Sequence, residues 1–132
     1  MEISAIVSNT PIGHTATVRT DTTSQALAIP AKSTGRGSAV NGGELLMLAL
    51  ATCYCNDLYR EAARLGVPIE SVEVEATADF PGIGLAATHI RYRARIVSSA
   101  EASVIADLLQ QTDAVAEIHN TIRAGASVTL VS

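Results

Sequence analysis

The chain's two thiols fall in one short stretch, "LALATCYCNDLYREA", as Cys53 and Cys55. A thiol can attack an electrophile as its thiolate, ligate a metal, close a disulfide, or simply fill space. Two positions apart on a helix, these side chains point about 200° away from each other, from about 100° per residue. A disulfide needs Cβ atoms about 4 Å apart, so the pair does not bridge without unwinding that turn. No His or Cys at zinc-like spacing joins them, and neither a metal nor a cofactor is expected. What remains is a choice between a reactive thiol and a packing one.

The two positions differ by face. Cys55 lines up with Leu48, Ala51, Leu58 and Ala62, a small and greasy stripe where a thiol behaves as a small hydrophobe. Cys53 lies where Leu46, Ala49 and Leu50 give way to Asn56, Asp57 and Arg60, the border of an apolar stripe and a polar one. It is either structural or a partly accessible thiol beside an apolar pocket. A reactive thiol needs a cation or a dipole to lower its pKa. Asp57, one turn on, opposes that if it is close. The source expected to help is the loop "KSTGR", with Lys32 and Arg36.

The elements that position these groups read as follows. "EISAIVS", "HTATVRT" and "QALAIPA" are three short strands, the first two a hairpin turning at "NTPIG". A Gly- and Ser-rich loop, Lys32 to Gly43, leads into a helix from about Gly43 to Leu65, stopped by Gly66. Glu44 suits its first turn, and Arg60 and Arg64 its last. The run "LLMLALA" is apolar all round, which predicts burial on every side, while the second half turns polar. "IESVEVEATADF" and "THIRYRARIV" alternate, so glutamates and arginines face each other on the solvent side of an antiparallel hairpin. A helix starting at Ser98 or Ser99, a second one capped by Thr112, and a terminal strand "ASVTLVS" complete an α+β fold of mostly antiparallel strands.

At 132 residues the chain is expected to form a single domain, 1–132. Charged residues are only 17% against 48% apolar, a surface poor enough in charge to suggest cover by a second copy. The net charge of −4, with no Trp and one Phe, gives neither an electrostatic grip nor a stacking platform for nucleic acid. No apolar run approaches the roughly 20 residues of a membrane span. The start "MEISAIVSNTPIGHT" lacks the pattern of a signal peptide, so reduced thiols in the cytoplasm are expected.

"GGELLMLALATCYCNDLYREAARLGV" resembles the central helix of the OsmC/Ohr family, where a Pro-Glu-x-Leu-Leu entry leads to a cysteine. "IESVEVEATADF" and "THIRYRARIV" resemble the family's next two strands, and "AEIHNTIRAG" its last helix, typically Cys-Pro-x-Ser-Asn-Thr-Leu. The resemblance implies an OsmC-like fold, with the sheet around a long central helix, and an intertwined homodimer with active sites at the subunit interface. Active members are peroxiredoxin-like thiol peroxidases of the oxidative-stress response. Their first cysteine attacks an organic hydroperoxide to give a sulfenic acid, their second condenses with it, and an external dithiol restores the pair. An arginine and a glutamate hold the thiolate and the peroxide.

Carried over, Cys53 takes the attacking position, with Asp57 matching an acidic residue one turn later. The second cysteine's place is held by Ala116 and the following proline's by Glu117; Gly43 stands where the family has its glutamate. Lys32, Arg36 and Arg19 are candidates for the arginine, and His119 for a base or cation near Cys53. Two functions follow. One is reduction of a small organic hydroperoxide by Cys53 alone, with an external thiol as reductant. The other is a catalytically degenerate dimer that binds a small apolar ligand without turnover.

Overall fold

The computed structural model describes residues 1–131. The chain divides into two compact units, Met1–Leu45 and a second that begins at Leu46.

In the first unit, β1 (Ile3–Thr10), β2 (Gly13–Thr20) and β3 (Thr23–Leu27) form an antiparallel meander in the order β1-β2-β3. The turn expected at "NTPIG" joins Thr10 to Gly13. The loop that follows is tied to the hairpin by Asn9. The Arg36 guanidinium donates to the Asn9 side-chain and backbone oxygens at 3.2 and 3.4 Å, and the Lys32 N–H bonds the Gly37 carbonyl at 2.9 Å. Gly35 and Gly37 have φ of 78° and 111°, a conformation that suits residues without a Cβ.

The helix α1 (Gly42–Leu65) starts with a reciprocal cap. The Glu44 N–H donates to Asn41 Oδ1 at 2.8 Å and the Asn41 N–H to Glu44 Oε1 at 3.0 Å, so two otherwise orphaned donors are satisfied together. It ends as expected at Gly66, whose φ of 70° lets the Val67 N–H return to the Ala62 carbonyl.

In the second unit, β4 (Ser71–Asp79) and β5 (Thr88–Val97) form a two-stranded antiparallel ribbon. Glu73 pairs with Arg95 and Glu75 with Arg93 across its outer face, at 2.9 and 3.1 Å. These exposed pairs settle the arginine stripe as sheet surface. The inner face packs Val72, Val74, Tyr92, Ala94 and Ile96 on a core of Tyr54, Leu58, Ala62, Leu108 and Ala116. The remaining elements are α2 (Ala102–Val115) and α3 (Glu117–Arg123).

Four expectations are corrected. The buried half of α1 is the second, with Tyr54, Asp57, Leu58, Glu61 and Ala62; in the apolar first half only Leu50 is buried and Leu48 is 59% exposed. The ribbon and α2 cover the second half, and its buried acids are tolerated because Arg60 and Arg64 neutralise them, Asp57–Arg60 at 3.0 Å and Glu61–Arg64 at 3.1 Å. Thr112 caps nothing: it is wholly buried inside α2, and its hydroxyl returns to the Leu108 carbonyl at 2.7 Å. The break between the last two helices lies instead at Ala116, where ψ is 107°. The preceding helix begins at Ala102 rather than Ser98 or Ser99; Ser98 Oγ accepts the Ala100 N–H and donates to the Pro68 carbonyl, closing the loop ahead of it. Finally, residues 126–131 form no strand. A strand exists by pairing, and no strand among the described residues pairs with this segment; Val128 and Leu130 stand fully exposed.

Candidate active site around Cys53

Cys53 sits on α1 at the edge of the buried half and is partly buried, as is Cys55. The thiol of Cys53 donates toward Asp57 Oδ2 at 3.6 Å and Glu117 Oε2 at 3.8 Å. Helix periodicity places Asp57 there, one turn on. Glu117 arrives because the chain breaks at Ala116 and restarts as α3, with Glu117 in its first turn. Arg60 lies across both acids, 3.0 Å from Asp57 Oδ1 and 3.4 Å from Glu117 Oε1.

The electrostatics follow. Burial first, then the negative charges of Asp57 and Glu117, push the Cys53 thiol above its ordinary value; only the Ile118 backbone N–H pulls it down. Burial also raises the Asp57 carboxyl, and the nearby Glu117 adds to this against the pull of Arg60. Glu117 goes the other way, lowered by its own backbone N–H. Of the two carboxylates, Asp57 is the one whose proton affinity is raised, so it is the better proton acceptor.

The sulfur and the two carboxylate oxygens lie within 4.8 Å of one another, a spacing that could suit a cation. Arg60 already supplies that positive charge, 3.0 Å from Asp57 Oδ1 and 3.4 Å from Glu117 Oε1. The residues fit proton exchange better than a metal.

Among the other residues expected at the site, Ala116 is fully buried in the core, so the family's second-cysteine position is filled by packing. Gly43 offers no carboxylate, and the neighbouring Glu44 is engaged in the helix cap. Lys32, Arg36 and Arg19 belong to the first unit, where Arg36 is held by Asn9 and Arg19 lies 3.9 Å from Glu2. His119 is buried. Its ring packs edge-on against Tyr92, with centroids 4.5 Å apart, and neither ring nitrogen has a partner among the described residues. Sequence reading places Arg60 on the polar border beside Cys53 and among the helix-end charges, but Glu117 only as a replaced proline. No local signal brings Glu117 to Cys53, because that contact spans 64 positions.

A family model described as OsmC-like protein matches residues 35–131. The chain belongs to the OsmC-like family. The match takes in α1 with Cys53 and α3 with Glu117, so the whole cluster lies on OsmC-like sequence. No curated protein sequence matches significantly. Solved structures of the same fold are distant. An OsmC-like protein from Mycoplasma pneumoniae is 18% identical with a TM-score of 0.64, over 92% of this chain and 86% of that one. An organic hydroperoxide resistance protein OsmC from Legionella pneumophila is 16% identical with a TM-score of 0.63, over 98% and 95%. An organic hydroperoxide resistance protein from Elizabethkingia anophelis is 16% identical with a TM-score of 0.63, over 93% and 89%. At these identities the likeness speaks for the fold alone. No helix among the described residues is long and apolar enough to cross a membrane.

Proposed function

We propose that this OsmC-like chain reduces organic hydroperoxides with Cys53 as its single redox thiol, in an oxidative-stress role. The observation behind the reading is a partly buried thiol with proton acceptors at 3.6 and 3.8 Å, on the residue to which the resemblance gives the attacking role. The sulfur attacks the outer peroxide oxygen, the O–O bond breaks, and a sulfenic acid and an alcohol result. With Ala116 in place of a second cysteine, the sulfenic acid passes to one external thiol with loss of water, and a second thiol releases Cys53 as the free thiol. The family pattern implies a basic counter-ion for the thiolate, for which the sequence offers Lys32 and Arg36. His119, buried and 4.5 Å from the Tyr92 ring, is assigned to packing instead.

A homodimer in the reducing cytoplasm belongs to the same proposal. The half-covered apolar run of α1 and the exposed Val128, Leu130 and Val131 support a second copy that covers them.

One observation favours a second reading. The charges nearest Cys53 raise its pKa, the opposite of what an activated thiol needs, which suits a degenerate dimer holding a small apolar ligand. Intact mass of the folded protein after a brief dose of organic hydroperoxide separates the two. Gain of one oxygen, absent in Cys53→Ser, is the expected result; an unmodified mass selects the second reading.

A further inference from the structure

We infer that the carboxylates of Asp57 and Glu117, clamped by Arg60, relay a proton in this reaction: they take it from the Cys53 thiol as sulfur attacks and return it to the departing alkoxide. This rests on the hydroperoxide reading of Cys53.

Three observations point the same way. Both carboxylates accept from the same sulfur, at 3.6 and 3.8 Å, so the thiol proton already has a path off the sulfur. The two acids come from different elements, one buried on α1 and one largely exposed on α3, so the pair reaches from the sulfur toward solvent. Arg60 bonds both, which keeps two like charges together and fixes their spacing. It is a positioning residue, whose ion pairs are with carboxylates.

The step balances within this cluster. The S–H bond breaks as the proton moves to a carboxylate, and the sulfur's electron pair forms a bond to the outer peroxide oxygen. The O–O bond breaks, and its electrons leave on the alkoxide, which takes the proton back and departs as an alcohol. Sulfur is oxidised by two electrons, the peroxide is reduced by two, and the carboxylates end as they began. An alkoxide is a strongly basic leaving group, so a proton delivered as the bond breaks lowers the barrier. On this relay a thiol in anionic surroundings reacts without ionising beforehand, because its proton leaves in the same step.

The test compares two reactions of Cys53 in the full-length protein. Oxidation by tert-butyl hydroperoxide needs a proton at the leaving group; alkylation by iodoacetamide needs only the thiolate, since iodide leaves unprotonated. Glu117→Gln and Asp57→Asn are expected to slow oxidation about tenfold or more, the low end for acid–base catalysis. Alkylation should hold or quicken, because a repelling charge has gone. If oxidation quickens along with alkylation, the acids are merely repulsive neighbours. Equal slowing of both reactions makes them structural, and either result overturns the relay while leaving the hydroperoxide reading intact. A wild-type protein that alkylates but does not oxidise removes both. Glu117 is exposed enough for its variant to fold even if Asp57→Asn does not.

Discussion

Glu117 Oε2 and Cys53 Sγ stand 3.8 Å apart although 64 positions separate them in the chain. Burial first, and then the charges of Asp57 and of this carboxylate, disfavour the thiolate. Cys53 should therefore ionise above the ordinary thiol range, and Glu117→Gln should bring its pKa down. The ultraviolet absorbance of the thiolate against pH, with Cys55→Ser as background, reads both values. A wild-type pKa at or below the ordinary one contradicts this electrostatic picture.

His119 gives a pH dependence of known sign. Burial, then the charge of Arg123, lowers its pKa from the ordinary 6.5, with Asp113 pulling back. Its folded pKa lies below the unfolded one, so the unfolded chain binds more protons as the solution is acidified. Stability from this group is complete above about pH 6.5 and is lost as pH falls through the lowered value. His119→Phe should flatten stability over that acidic window. Because both ring nitrogens lack partners, the variant should also gain about 1–2 kcal/mol by urea unfolding at neutral pH.

Leu58 and Leu108 are both completely buried and meet in the core of the second unit. Replacing either by Ala should cost about 2–5 kcal/mol in urea unfolding, the price of a cavity added to lost transfer energy. A loss under 1 kcal/mol would mean that the core collapses onto the gap.

Tyr54 donates its hydroxyl to the Leu109 carbonyl at 2.7 Å, and burial, then the charge of Asp113, pushes its pKa up to about 12. Tyr54→Phe should remove about 1 kcal/mol and leave the Leu109 carbonyl without its donor. The same substitution should delete one late-titrating phenol from the alkaline absorbance curve.

The exposed C-terminal segment offers a direct probe of the proposed dimer. Truncation before Ser127 removes Val128, Leu130 and Val131, whose side chains find no cover within the chain. Sedimentation should show the full chain as a dimer and the truncated one shifted towards monomer. A full chain that sediments as a monomer at all concentrations would falsify the homodimer.

The sequence by itself determined what depends on near neighbours. The Glu73–Arg95 and Glu75–Arg93 pairs were legible because a two-residue period fixes which side chains share a face once the hairpin is recognised. The span of α1 was legible because Glu44 and Gly66 mark its ends by local chemistry, and Asp57 was placed one turn from Cys53 by helix geometry alone. Only the tertiary structure decided which half of α1 is covered, since "LLMLALA" is the greasier half yet the ribbon and α2 pack on the other. It also decided that Thr112 continues a helix rather than starting one, because a buried hydroxyl can satisfy itself on Leu108 as well as cap. Above all it brought Glu117 to the sulfur. That meeting depends on where a break at Ala116 aims the next helix, and no pairwise spacing in the chain encodes the direction in which α3 returns to Cys53.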